Sequence, residues 1–332
     1  MRPQAPKKRA GTFPVPAADR THVPVAAKDF LSVLDLTHEE LERVLDLAAE
    51  LKDDRAAGRA GLRPLAGRHV ALLFEKPSLR TRTTFTVAVR ELGGEVIEPP
   101  VEVAFGGRET VEDVARNLER WLEGAIVRTF AQAQLDRFAK AAPGLHVVNA
   151  LTDEEHPCQA LADMLTLREH VGDLSGCTMA FVGDGNNVAA SLAHAGALLG
   201  VNVRIASPAG YELPTPVVEA SRAVARHGAT IDVTNDPVAA VAGAHAIYTD
   251  VWASMGHEDE ADARARVFTP FQVNEALMAA SGNGAVFMHC LPAHRGREVT
   301  DAVIDSPASV VFDQAENRLH TQKALLALLM GR

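Results

Sequence analysis

Short apolar runs alternate along this chain with segments whose apolar residues repeat at helical spacing, and few folds satisfy that alternation. His69–Phe74 (HVALLF) reads as a buried strand, and Thr81–Leu92 after it as a helix closed by Gly93 and Gly94. Further strands are expected at Gly124–Arg128 and His146–Asn149, with helices over Glu109–Leu122, Gln134–Ala141 and Cys158–Glu169. After the turn-rich stretch Gly172–Gly176 the pattern restarts. Strands at Thr178–Val182, Asn202–Ala206, Thr230–Val233, Ala246–Asp250 and Ala285–His289 are separated by helices at Val188–Leu199, Pro214–His227, Pro237–Ala242 and Val273–Ala280. Strand and helix in strict alternation predict parallel sheets with right-handed crossovers. In such sheets ligands bind where strand carboxyl ends meet helix amino ends.

The expected fold is therefore α/β, with two domains that are each a parallel sheet flanked by helices, since 332 residues exceed what one core usually supports. The restart sets the boundaries: a flexible extension over residues 1–28, a first domain over 29–170 and a second over 171–314. A first helix from Thr37 to Arg55 is marked by the Thr37/Glu40 capping box and by Leu41, Val44, Leu45, Ala48 and Leu51 at helical spacing. At the other end, Ala315–Arg318 precede a last helix, Thr321–Met330, within a segment 315–332 expected to return to the first domain. Its leucines at 325, 326, 328 and 329 need a surface to cover.

Charge narrows the function. A net charge of −10 disfavours nucleic acid and anionic membrane as partners, and no apolar stretch nears the roughly 20 residues that cross a bilayer. An acidic protein that binds an anion must do so with a local pocket of cations. Cys158, Cys177 and Cys290 are widely spaced and form no CxxC pair, which points to a reducing, cytoplasmic setting without disulfides or a zinc knuckle. Residues 1–28 are basic like an organelle transit peptide, but their Pro-rich, Leu-poor run favours a plain extension.

The anion pocket has a candidate. Pro77-Ser78-Leu79-Arg80-Thr81-Arg82-Thr83 lies where a strand hands over to a helix amino end, so free backbone N–H groups, hydroxyls and two guanidinium groups converge. A solvated, Arg-rich helix start is the plainer alternative, which the buried strand just before it argues against. Gly183-Asp184-Gly185-Asn186-Asn187 also follows a strand, yet its third glycine position is Val188 and no ribose-binding acid follows. A nicotinamide-dependent dehydrogenase is disfavoured on that ground, no cofactor is expected, and the thirteen histidines lack metal-ligand spacing.

The Ser-x-Arg-Thr-Arg segment resembles the carbamoyl phosphate loop of the aspartate/ornithine carbamoyltransferase family. Further matches follow in order: Arg128-Thr129-Phe130, His156-Pro157-Cys158-Gln159, Asp250-Val251-Trp252-Ala253-Ser254-Met255-Gly256, His289-Cys290-Leu291-Pro292 and Glu316-Asn317-Arg318. The resemblance implies transfer of the carbamoyl group of carbamoyl phosphate to the δ-amine of ornithine, giving citrulline and phosphate. It implies that Ser78, Leu79, Arg80 and Thr81 hold the phosphate, and that Arg80, Thr81, Arg128 and His156 surround the carbonyl oxygen. Gln159 and the carbonyls of Cys290 and Leu291 would bind the carbamoyl amide, with Arg318 completing the pocket. For ornithine it implies Asp250 and Ser254 at the α-amine, Asn187 and the Met255 backbone at the α-carboxylate, and Cys290 beside the reacting amine. Family active sites are shared between subunits, so a trimer or a multiple of trimers is implied.

Two positions depart from the family pattern. Ala104 stands where relatives place a Gln or His that reaches a neighbour's phosphate site, and Thr86 stands where a Glu is usual. The remaining alternatives are a related acceptor amine, putrescine or N-acetylornithine, and a weakly active binding paralogue. The first would waste Asp250 and the Ser254-Met255-Gly256 loop.

Overall fold

The computed structural model describes residues 23–59, 61–100, 102, 105, 107–252, 261–282 and 284–331. Helix α1 (His38–Ala56) starts as its capping box requires: Thr37 Oγ1 accepts from the Glu40 N–H, and the Glu40 carboxylate accepts from the Thr37 N–H. The first sheet contains β1 (His69–Phe74), β2 (Glu95–Ile97), β3 (Gly124–Arg128) and β4 (His146–Leu151), all parallel, in the order β2-β1-β3-β4. Its helices are α2 (Arg80–Glu91), α3 (Val111–Leu118), α4 (Gln132–Ala141) and α5 (Pro157–Val171).

The second sheet runs β7-β6-β5-β8-β9, also parallel, from β5 (Thr178–Val182), β6 (Asn202–Ala206), β7 (Ile231–Thr234), β8 (Ala246–Thr249) and β9 (Val286–His289). Between and after them come α6 (Asn187–Leu199), α7 (Thr215–Ala223), α8 (Pro237–Val241), α9 (Ala261–Phe268), α10 (Glu275–Ala280), α11 (Asp301–Ile304) and the last helix, α12 (Val311–Met330). The expected α/β architecture with two parallel sheets and a C-terminal helix is what the chain adopts.

Apolar runs without polar alternation mark β1, β3, β5 and β8 because both sheet faces are covered there. Leu72, Phe74, Ile126 and Val148 join the core on one face of the first sheet, while Ala71, Leu73, Ala125, Val127 and Val147 form a second cluster on the other. Each such Leu, Val or Ile contributes about 1.5–3 kcal/mol on burial. Strand order reverses around β5, which lies between β6 and β8 and so opens a crevice at its carboxyl end.

The segment 214–227 ends its helix at Ala223, and His227 takes a left-handed φ of 52°. Strand β2, a short and mostly exposed edge, and helices α9 and α11 were not foreseen, because none carries an apolar run of useful length. The last helix begins at Val311, not Thr321, so Arg318 sits within it and not in a loop ahead of it. Buried polar residues, among them Gln314, Asn317, Arg318 and Lys323, hide its apolar period. This helix packs against α1, α2, α5 and β9, across elements of both sheets.

Candidate active site

The strand β1 to helix α2 connection builds a donor-rich corner. Leu79 caps α2 without a side-chain hydrogen bond, so the first-turn N–H groups have no intrahelical acceptor. Its side chain points out, 77% exposed. The corner is tied to the end of β3, where the Glu75 N–H donates to the Arg128 carbonyl at 2.8 Å and the Thr129 hydroxyl donates to the Glu75 carboxylate. Register with β4 shifts between Val127 and Arg128, an irregularity that re-aims the Arg128 side chain at the strand terminus.

Arg80, Arg128 and Arg318 are gathered here, and Arg128 and Arg318 are buried. Arg82 of the same loop is not part of the set: it pairs with Glu98 and lies over the Phe74 ring. Burial first, and then Arg318 and Arg80, push Arg128 down to about 10, while burial is the largest cause of the lowering at Arg318. Arg318 crosses from α12 to donate from Nη1 to Gln159 Oε1 at 2.6 Å and from Nη2 to Thr81 Oγ1 at 2.5 Å. The buried Nε atoms of Arg128 and Arg318 have no partner among the described residues.

His156 and Gln159 come from the start of α5, where Pro157 occupies the first turn. The His156 N–H donates to Ser191 Oγ of α6 at 2.9 Å, and its buried Nδ1 has no described partner. Burial, then Arg318 and Arg128, depress the His156 imidazole well below its ordinary value, so it stays neutral near pH 7 and can donate a hydrogen bond without charge.

The second sheet faces this corner. Asp250 follows β8 and is held on both oxygens: the Asn186 amide donates to Oδ2 at 2.8 Å, and Cys290 Sγ donates to Oδ1 at 3.0 Å. Burial and the Asp250 carboxylate push the Cys290 thiol well above its usual range, which leaves it a protonated donor. Leu291 follows with a φ of 59°, a left-handed backbone rare for a branched side chain, and its N–H donates to His289 Nδ1 at 2.8 Å. Asn187 opens α6 and donates from Nδ2 to the Thr152 carbonyl of the first sheet at 2.6 Å.

Thus Arg80, Thr81, Arg128, His156, Gln159 and Arg318 converge, and Asp250 with Cys290 stands opposite, joined electrostatically through Arg128, Arg318 and Cys290. Ser78 lies in the same corner. Ser254, Met255 and Ala104 fall outside the described residues. Thr86 donates to the Arg82 carbonyl on an exposed helix face. Sequence reasoning missed Asn186 and Ser191, although the doubled Asn after Gly185 signalled one amide for the helix cap and another for a second task.

Asp250, His289 and Cys290 bring one potential ligand atom each within 4.8 Å of one another. Both His289 nitrogens are engaged, however, with the Leu291 N–H at Nδ1 and Glu298 at 3.3 Å from Nε2. The imidazole therefore acts as a brace for the Leu291 turn.

Comparison with known proteins finds relatives over most of the chain. The family model "Aspartate/ornithine carbamoyltransferase, carbamoyl-P binding domain" matches residues 28–169, and "Aspartate/ornithine carbamoyltransferase, Asp/Orn binding domain" matches residues 175–329. An ornithine carbamoyltransferase of Parasynechococcus marenigrum is 53% identical over 310 residues, covering 93% of this chain and 95% of the relative. One from Parafrankia sp. is 52% identical, covering 92% and 97%. Among solved structures, the ornithine carbamoyltransferase of Pyrococcus furiosus superposes with a TM-score of 0.89 at 46% identity, covering 93% of this chain and 99% of that one.

Proposed function

The chain belongs to the aspartate/ornithine carbamoyltransferase family, and from that premise we propose that it transfers the carbamoyl group of carbamoyl phosphate to the δ-amine of L-ornithine. The observation that carries the reading is the buried cluster of Arg128, His156 and Arg318, in which Arg128 Nε, Arg318 Nε and the neutral His156 Nδ1 lack described protein partners although the chain as a whole carries a charge of −10. Cations kept at such a cost are matched to a polyanion. Putrescine and N-acetylornithine, the alternative acceptors, are not favoured by relatives that are ornithine carbamoyltransferases.

Ser78, Leu79, Arg80 and Thr81 take the phosphate at the α2 amino end, where the dipole and free N–H groups add to the guanidinium charge. Arg128 and neutral His156 aim donors at the carbamoyl carbonyl oxygen, which becomes an oxyanion on attack. Gln159 and the Cys290 and Leu291 carbonyls take the carbamoyl NH2, and Arg318 locks Gln159 and Thr81 in place. Asp250, with Ser254, receives the α-amine, and Asn187 with the Met255 backbone receives the α-carboxylate.

The δ-ammonium gives a proton to solvent as it enters, because the surrounding cations and poor solvation favour the neutral amine, and the freed lone pair attacks the carbamoyl carbon directly. The tetrahedral adduct breaks its C–O bond, the electron pair leaves with phosphate, and the amine proton is lost to phosphate or solvent. Cys290 orients the amine and forms no covalent bond. A homotrimer or a multiple of trimers, working in the cytoplasm, completes the reading.

Purified protein with carbamoyl phosphate and L-ornithine should yield citrulline by colorimetric assay, and absence of citrulline would sink the proposal. Putrescine or N-acetylornithine in place of ornithine should give none.

A further inference from the structure

Asp163 lies on α5 one turn beyond Gln159, fully buried, and its side-chain hydrogen bonds run to Gln159, Gln314 and Tyr248. Its Oδ1 accepts from Gln159 Nε2 and from Gln314 Nε2, each at 2.7 Å, and its Oδ2 accepts from the Tyr248 hydroxyl at 3.2 Å. Gln314 Nε2 also reaches the Tyr248 oxygen at 3.1 Å, and Gln314 Oε1 accepts from the His289 N–H at 2.9 Å. One carboxyl thus joins α5, β8 and α12, and through Gln314 the start of the Cys290 turn.

With two amide nitrogens donating to it, Oδ1 acts only as an acceptor, so it holds the nitrogen end of the Gln159 amide whether or not Oδ2 carries a proton. With Gln159 Nε2 fixed on Asp163, Oε1 is turned the other way, where Arg318 Nη1 meets it. A carbonyl oxygen has a second lone pair, and this one remains for an N–H of the carbamoyl group. Pulling on the nitrogen also polarises the amide and strengthens the oxygen as an acceptor.

We propose that Asp163 is a positioning residue for carbamoyl recognition: acting through Gln159, it anchors the amide nitrogen so that the carbonyl oxygen faces the substrate's NH2. The inference rests on the reading of Gln159 as the carbamoyl contact. The fold keeps this carboxyl against a cost, since burial pushes it up to about 7 despite three hydrogen-bond donors and nearby Arg318. An apolar residue would pack there without that cost, which argues for a role beyond stability.

The test separates carbamoyl from phosphate recognition. Asp163→Leu should raise the KM for carbamoyl phosphate about 10- to 100-fold, the loss expected when a buried carbamoyl N–H is left without its acceptor, and leave the inhibition constant of inorganic phosphate within about twofold. Asp163→Asn, which keeps an acceptor oxygen, should restore the KM to within about threefold of the parent. If Asp163→Leu does not fold, Asp163→Ser replaces it, because its hydroxyl is too short for the Gln159 amide and satisfies itself on the backbone carbonyl four residues back.

In a Gln159→Leu background, loss of Asp163 should change neither constant further. A KM and phosphate constant that rise together mark a merely structural residue and overturn the proposal, as does an unchanged KM. If Gln159→Leu alone leaves the ratio of the two constants unchanged, the reading of Gln159 fails instead.

Discussion

Replacing Arg128 by Met should make the unliganded protein more stable and nearly inactive. The guanidinium is 5% exposed, no described residue accepts a hydrogen bond from it, and burial with Arg318 and Arg80 pushes it down to about 10 from an ordinary value above ~12. The cation is destabilised by folding at every pH below that value, so the penalty is fully present at pH 7.5, where it amounts to about 3 kcal/mol at most. Methionine keeps the apolar stem and removes the charge. Allowing for imperfect packing, we expect a gain of about 1–2 kcal/mol, a melting temperature about 2–6 °C higher without ligand.

Activity should move the other way. A guanidinium aimed at the developing oxyanion makes up to two charge-assisted bonds of about 1.5–3 kcal/mol, so kcat/KM should fall about 100- to 10,000-fold. The assays are citrulline formation with carbamoyl phosphate varied, and thermal melts with and without inorganic phosphate. A variant that melts lower than the parent and keeps activity within tenfold (~1.4 kcal/mol) would refute the reasoning, because Arg128 would then be a structural cation.

Cys290→Ser should keep kcat within about tenfold, since a protonated thiol that donates to Asp250 is replaced by another donor; a loss of about 10,000-fold, the scale for a missing nucleophile, would restore the covalent route. Gly185→Ala should abolish stable folding or cost about 3 kcal/mol or more, because the new Cβ would lie 2.3 Å from the Leu213 backbone nitrogen, and an unaltered melt would disprove the close approach. Burial pushes His194 down to about 4, so its neutral form contributes stability above pH 6.5 that is lost as pH falls toward 4. Melting temperatures of the parent should therefore drop more steeply over that window than those of His194→Gln, and parallel curves would exclude His194 as a source of acid lability.

Three strands, His69–Phe74, Gly124–Arg128 and Thr178–Val182, have the bounds their apolar runs suggest, because a parallel strand covered on both faces is mostly apolar, and Asn202–Ala206 keeps its expected bounds although Asn202 and Arg204 alternate with its buried residues. The last helix was read short for the opposite reason. Gln314, Asn317 and Arg318 are buried through long-range partners, Asp163, Thr166 and Gln159, which no local periodicity reveals. In the site, Arg80, Arg128, His156, Gln159, Asp250, Cys290 and Arg318 were legible through short motifs. Their supports were not, since Ser191 meets His156 only once the two sheets are brought together, and Asn186 meets Asp250 only once β5 and β8 pair within the second.

Those same supports determine how the site answers to its anion. Arg318 and Arg80 depress Arg128, and Arg80 also depresses Arg318, while neither Arg128 nor Arg318 forms an ion pair among the described residues, so the pocket stores repulsion that a dianion relieves. His156 and Asn187 carry the relief across the crevice, the first through its N–H on Ser191 and the second through its amide on Thr152. Phosphate alone should therefore stabilise elements of both sheets, although its direct contacts belong to the first. Hydrogen exchange would register this as slower opening at the amino end of α6 on adding inorganic phosphate. Protection confined to α2 and the end of β3 would mean that the two sheets respond independently and that the crevice closes only when the amine arrives.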